Sequence, residues 1–352
     1  MKDRFSVNLK KITNWTPPPG WIKINTIDAH CAGEPLRIII DGLPILQGNT
    51  ILEKRKFMLE NFDELRKALM LEPRGHADMY GCVITLPVSE DTDFGVIFTH
   101  NEGYSTMCGH GIIAVTQVAL QTGMIAKIEP VTVIKIDTPA GIVTSYAEIK
   151  KNDIERIYFH NVPSFAITLN QNVNVDGIGS INYDVAFGGA FYAIVDADNL
   201  GISMTESNFR LLIEKGMDIK RAVMRNFKIK HPYEKDLNFL YGTIFTGAPL
   251  DKNNQSRNVC IFADGEVDRS PTGTGVSARI ALQYAKNEIG NNESLVIESI
   301  IGTKFTVRVV GTTKFGDYNA VIPEVEGEAY LTGKHEFLLD PKDPIKSGFI
   351  LR

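Results

Sequence analysis

Two segments 164 positions apart constrain this chain more than any other feature. STMCGHGIIAV (residues 105–115) and RSPTGTGVSAR (residues 269–279) superimpose on their glycines. Gly109 falls on Gly273, Gly111 on Gly275, Ile112 on Val276 and Ala114 on Ala278. The residue before the first glycine is Cys108 in one copy and Thr272 in the other. The flanking segments repeat as well. The first half runs CAGEPLRIII (31–40), a helical stretch, YGCVIT (80–85), GVIFTHNEG (95–103) and the Cys108 segment. The second runs FGGAFYAIV (187–195), a helical stretch, YGTIFTG (241–247), NVCIFADG (258–265) and the Thr272 segment. Tyr80 and Tyr241 are 161 positions apart, close to the spacing of Cys108 and Thr272. After each glycine segment come two strand-like runs around a glycine turn, VTVIKIDTPAGIVTSYAEI and LVIESIIGTKFTVRVV. One order of elements met twice implies duplication, and hence two similar halves.

Periodicity fills in the halves. Residues 49–70 place Ile51, Leu52, Phe57, Met58, Leu59, Leu65 and Leu69 at helical spacing between charges. Residues 111–122 and 276–288 predict the two helices that follow the glycines. Both are rich in Ala, Ile, Val and Leu, and helices apolar on nearly all sides are buried. The remainder reads as short strands with Gly, Pro and Asn/Asp turns. The expected fold class is α/β (α+β): two pseudo-symmetric halves, each a curled, mostly antiparallel sheet around a central helix. A length of 352 residues fits two domains. The expected boundaries are a tail over 1–20 with Pro17–Pro19 as a stiff lead-in, a first half over 21–170, and a second over 171–334. Residues 335–352 are a candidate completion of the first half, and the site is expected in the cleft between the two.

Composition excludes several function classes. The net charge is −5 with no long run of one sign, which argues against nucleic acid or an anionic membrane as partner. No run of 18 apolar residues exists to span a bilayer. The N-terminus lacks the apolar core and cleavage site of a secretory signal, so a cytoplasmic protein with reduced thiols is expected. The four cysteines, Cys31, Cys82, Cys108 and Cys260, include no CxxC pair, which argues against zinc. Cys82 and Cys260 lie in β-branched runs and read as small buried strand residues. No P-loop, dinucleotide fingerprint or metal-spaced His/Glu set is present, so neither a metal nor a cofactor is expected.

Cys108 differs from the other cysteines because it stands among glycines at a helix start. The first turn of a helix leaves N–H groups without intrahelical acceptors, and the macrodipole adds partial positive charge. Glycine lets a ligand approach that backbone, and a carboxylate is well held there. If the halves face each other, the N–H groups of Gly109 and His110 and those of Gly273 and Thr274 converge on one anion. The same field is expected to lower the Cys108 pKa.

At this point the residues resemble a known family. MCGHG (107–111) with DRSPTGTG (268–275) is similar to the proline racemase family, cofactor-independent enzymes acting at Cα of proline and hydroxyprolines. DAHCAGEPLR (28–37), EPRGHADMYG (72–81), DTPAG (137–141), ESIIGT (298–303) and EGEAYLTG (326–333) match as well. The resemblance implies two halves of the diaminopimelate epimerase-like kind, a site in the cleft and a homodimer. It makes Cys108 the first catalytic cysteine. Gly109, His110, Gly273 and Thr274 become the holders of the substrate carboxylate, and Asp268 the partner of the ring nitrogen. Tyr80 and Phe262 become pocket walls. Thr272 departs from the racemases and 4-hydroxyproline epimerases, which carry a second cysteine there. Threonine resembles the trans-3-hydroxy-L-proline dehydratase branch. Cys31 departs too, standing where the family usually shows threonine.

Chemistry agrees with that branch. Inversion needs a base on one face of Cα and an acid on the other; a thiol with a pKa of about 8.5 can serve as either, whereas an aliphatic hydroxyl cannot. Elimination needs one base and a leaving group. In trans-3-hydroxy-L-proline the hydroxyl shares a face with the Cα hydrogen, so one thiol can take the proton and return it to the departing hydroxyl. The expected partner is therefore a small cyclic imino acid, and the expected activity a dehydration. A proline racemase or hydroxyproline 2-epimerase is the alternative, and a non-catalytic cyclic amino acid binding protein a third. Thr272 either donates a hydrogen bond to substrate or fills space. Asp268 read alone is also a capping or turn residue. His30, Glu34, Arg74, His76 and Asp78 fit a buried hydrogen-bond network as well as they fit catalysis.

Overall fold

The computed structural model describes residues 11–351, so the first half of the expected 1–20 tail lies outside the described residues. The first set of elements is β1 (Ile22–Cys31), β2 (Glu34–Asp41), α1 (Ile51–Met70), β3 (Tyr80–Thr85), β4 (Phe94–His100), β5 (Tyr104–Ser105), α2 (Gly109–Gln121), β6 (Val131–Thr138), β7 (Gly141–Lys150) and β8 (Asp153–His160). The second is β9 (Phe165–Val175), β10 (Gly179–Phe187), β11 (Phe191–Asp196), α3 (Phe209–Asn226), β12 (Leu240–Gly247), β13 (Ser256–Phe262), β14 (Glu266–Val267), α4 (Gly273–Ala285), β15 (Ser294–Glu298), β16 (Lys304–Phe315) and β17 (Tyr318–Gly327). The last strand, β18 (Ala329–Leu339), returns to pair with β1.

The duplication is visible pairing by pairing. In the first half β1 pairs antiparallel with β18 and β2, β2 parallel with β3, β3 antiparallel with β4, β4 antiparallel with β5 and parallel with β6, and β6–β7–β8 form a meander. The second half repeats this sequence of directions with β10, β9, β11, β12, β13, β14, β15, β16 and β17 in the same roles. The sheets join where β8 runs antiparallel to β17, with Phe159 opposite Val325.

Each half wraps a helix that cannot face water. In α2 every residue from Gly109 to Leu120 except Gln117 is buried, and α4 is buried from Gly273 to Ala278. They lie in one continuous core that runs through both halves. α1 and α3 are instead amphipathic covers: α1 packs on β4 and α3 on β12 and β13. α1 begins two residues later than its periodicity suggests because Thr50 caps it: its hydroxyl accepts from Glu53 N–H at 3.1 Å.

Two more local readings change. Both central helices begin ahead of the predicted 111 and 276, because the first glycine of each pair already lies in the helix and Cys108 and Thr272 are the caps. The run 187–195 is broken: Phe187 ends β10 and Phe191 starts β11. Gly188 between them passes so close to α4 that a Cβ there would meet the Thr274 carbonyl at 2.2 Å.

Candidate active site

The N-termini of α2 and α4 meet head-on. A Cβ built on Gly109 would lie 2.5 Å from the Gly273 Cα, and one on Gly273 equally close to the Gly109 Cα. Only glycine permits this approach. At the meeting point is a cavity of about 20 Å³, lined by Tyr80, Cys108, Gly109, His110, Phe262, Asp268, Thr272, Gly273 and Thr274, together with Met107, Tyr192 and Tyr241. The nine residues singled out in the sequence therefore surround one space.

No lysine or arginine lines this cavity. With no cationic side chain there, an anion in it is stabilised by first-turn N–H groups, two helix ends and the hydroxyls of the lining. Asp268 is the one carboxylate in the lining, 4% exposed, with Oδ1 accepting the Ser270 N–H at 2.7 Å. A cavity with one buried carboxylate and an anion cradle suits a small zwitterion.

The two caps are unlike. Cys108 has an extended backbone (φ −145°, ψ 106°), and its Sγ accepts the Gly111 N–H at 3.2 Å. His110 lies beside the sulfur, with Nδ1 at 3.3 Å. Thr272 has a left-handed φ of 68° and makes no side-chain capping bond. Its hydroxyl oxygen is buried without a hydrogen-bond partner, near enough to Cys260 to oppose the burial that raises that thiol's pKa. A β-branched residue in this region is strained.

The electrostatics correct one expectation. Burial pushes the Cys108 thiol well up from its ordinary value. The Gly111 N–H opposes this, the Asp268 charge adds to it, and the Tyr80 hydroxyl opposes it. In the closed cleft, desolvation outweighs the Gly111 N–H that reaches the sulfur. Burial also holds His110 below its usual pKa, against the pull of Asp268.

Aromatic rings close the space. Tyr80 lies edge-on to His110, with centroids 4.9 Å apart, and its hydroxyl bonds to Ser105. Tyr241 stacks on Phe262 at 5.4 Å, and the Tyr192 hydroxyl meets the Thr274 hydroxyl at 2.7 Å. Sequence reasoning missed Tyr192, Tyr241 and Met107. The repeat held a signal for Tyr241, since it is the counterpart of Tyr80. Met107 opens the MCGHG motif beside Cys108, and Tyr192 gave no signal.

The remaining polar motif residues divide. His30 accepts the Gly33 N–H and lies tilted against the Tyr330 ring. Arg74 donates to the carbonyls of Ala68 and Lys346, and the His76 carbonyl accepts from Asn101. These three hold loops. Glu34 and Asp78 both reach Arg269, next to Asp268. No group of three or more His, Cys, Asp or Glu among the described residues is placed to hold a metal ion, and no helix there is long and apolar enough to cross a membrane.

Comparison with known proteins gives one family, whose members carry both dehydratase and epimerase names. Residues 26–350 match the profile of the family described as Proline racemase. A protein of Colwellia psychrerythraea named trans-3-hydroxy-L-proline dehydratase is 48% identical over 345 residues, covering 97% of each chain. One of Bacillus cereus with the same name is 47% identical over 326 residues, covering 93% of this chain and 97% of its own. Among solved structures, a hydroxyproline epimerase from Agrobacterium vitis with bound trans-4-hydroxy-L-proline superimposes with a TM-score of 0.88 at 32% identity, covering 94% of this chain and 96% of that one.

Proposed function

This chain belongs to the proline racemase family, and from that premise we propose that it is a cofactor-independent hydro-lyase converting trans-3-hydroxy-L-proline to 1-pyrroline-2-carboxylate and water. The observation that carries the reading is the unequal pair of caps: one cavity, two helix N-termini, and a thiol at only one of them. The names of the Colwellia and Bacillus relatives support it.

The roles follow from position. The backbone of Gly109, His110, Gly273 and Thr274 holds the substrate carboxylate between two helix ends. Asp268 pairs with the secondary ammonium of the ring. That cation offsets the Asp268 charge, one of the effects that raise the Cys108 thiol. Cys108 Sγ takes the Cα proton. The Cα–H electrons form the Cα–Cβ double bond as the Cβ–O bond breaks, and the proton on sulfur leaves with the hydroxyl as water. The enamine product then tautomerises to the cyclic imine. Thr272 supplies no base on the other face. Tyr80 and Phe262 wall the ring and exclude water.

The test is incubation with trans-3-hydroxy-L-proline, trans-4-hydroxy-L-proline and L-proline in D₂O, read by mass and chiral chromatography. Water loss from the 3-hydroxy isomer without inversion of the other two is expected. Inversion of trans-4-hydroxy-L-proline or L-proline with no water loss would make the protein an epimerase or racemase. No change in any of the three would leave a binding protein.

A further inference from the structure

The carboxylate of the site is carried by the second half but held from the first. The Arg269 N–H, in the peptide bond that follows Asp268, donates to Glu34 Oε2 at 2.7 Å across 235 positions of chain. The next N–H, that of Ser270, turns back to Asp268 Oδ1. Asp268 is thus fixed on one side by its own turn and on the other by a side chain from the opposite half.

Glu34 is delivered there by a rigid turn. It follows Ala32 and Gly33, both left-handed at φ 52° and 92°. The Ala32 carbonyl accepts the Thr303 hydroxyl at 2.7 Å, and its N–H donates to the Glu328 carbonyl. At Gly33 the positive φ strains any side chain whatever the space around it, so the turn is built for glycine. Glu34 is fully buried, and its second oxygen, Oε1, has no hydrogen-bond partner. A buried carboxyl with an unused oxygen beside another carboxylate is costly as a packing element. It persists where its acceptor atom is needed.

We propose that Glu34 is a positioning residue: by accepting the Arg269 N–H across the cleft, it holds Asp268 where that carboxylate meets the ring nitrogen of the substrate. The proposal rests on the reading of Asp268 given above. Burial and the Asp268 charge push Glu34 well above the usual carboxylate range. In its neutral form Glu34 still offers an acceptor oxygen, and Asp268 remains the one anion facing the substrate cation. Arg269 adds a second tie to the first half through Asp78 at 3.0 Å.

The experiment compares two ligands that do not turn over. L-Proline carries the ring nitrogen; cyclopentanecarboxylate has the same carboxylate and ring without it. Affinities are measured for the wild type, D268N, E34Q, E34A and E34D. With Asp268 no longer tied across the cleft, its contact with the ring nitrogen is weakened, and Glu34→Ala is expected to lose about tenfold to a hundredfold in L-proline affinity, with cyclopentanecarboxylate unchanged. Glu34→Asp, one methylene too short, is expected to follow alanine, so it replaces that variant if alanine does not fold. Glu34→Gln keeps an acceptor oxygen and should preserve the preference for L-proline. Equal losses for both ligands, an intact preference in E34A and E34D, or a glutamine variant as weak as alanine would each overturn the proposal. If D268N leaves the preference intact, the ring-nitrogen role of Asp268 fails instead, independently of Glu34.

Discussion

Replacing Gly109 with alanine tests whether the two helix ends act as one cradle. The added Cβ would sit 2.5 Å from the Gly273 Cα, 3.0 Å from the Gly273 carbonyl carbon and 3.1 Å from Phe159. The first two are backbone atoms of the facing helix and cannot rotate aside. To reach ordinary contact at 3.4 Å, the helix ends must separate by about 0.9 Å. Overpacking of this kind costs about 1–3 kcal/mol, partly offset because alanine is better than glycine inside a helix by up to about 1 kcal/mol. The expected loss of stability is therefore small. The loss of function is not: two sets of N–H groups that converge on one carboxylate are moved apart, and a misplacement near 1 Å costs about 10²-fold. Turnover of trans-3-hydroxy-L-proline, affinity for pyrrole-2-carboxylate and the melting temperature are measured together. Gly103→Ala is the control, since nothing lies within 4 Å of a Cβ there. Turnover and affinity that stay at wild-type level in Gly109→Ala would refute the convergent cradle.

Cys108→Ser should lose nearly all turnover yet still bind pyrrole-2-carboxylate, because the backbone cradle remains; iodoacetamide should inactivate the wild type, and that ligand should protect it. Since burial raises the Cys108 pKa, the thiolate fraction grows with pH, and kcat/KM should climb on the alkaline side of an ordinary thiol's titration. A profile that falls there would remove the thiolate from the mechanism. Asp268→Asn keeps the shape and removes the charge; for a pair this buried, substrate binding should weaken by about 2–5 kcal/mol, read by calorimetry, and an unchanged binding constant would dismiss the pair. Thr272→Cys should gain weak inversion of L-proline, measured by deuterium incorporation and chirality in D₂O, whereas fast inversion by the unmodified protein would contradict the role given to Thr272.

Much of this was legible because duplication leaves a pattern in the sequence that does not depend on weak propensities. The glycine pairs marked both central helices, and the order of flanking runs anticipated pairings that recur strand for strand. The site followed because first-turn glycines imply an exposed backbone, and two copies imply convergence. What the sequence could not carry was contact across the cleft. Glu34 sits 235 positions from Arg269, and its motif reads equally as a hairpin turn. Tyr192 reaches the site through Thr274, a contact that exists only once α4 packs against β11. The thiol pKa is hidden for a similar reason: the helix start is visible in sequence, but the burial that raises the thiol is a property of the assembled halves.

The copies also diverged in backbone, not only in the atom at the cap. Cys108 keeps the extended conformation that turns a cap side chain toward the third N–H of its helix. Thr272 is left-handed, and its hydroxyl leaves the corresponding N–H of Gly275 uncapped. A strained residue at such a point costs about 1–3 kcal/mol, and surrounding contacts must hold it. Here the Thr272 N–H donates to Ser270, whose own N–H is bound to Asp268. The conformation at 272 is therefore one end of the same short turn that fixes the site's carboxylate. A thiol placed at 272 would inherit that turn, and it would approach Gly275 only if the turn, and Asp268 with it, rearranged. The side chain at 272 and the turn that places Asp268 are thus joined in one short segment. This is why a single cysteine substitution is expected to return inversion only weakly.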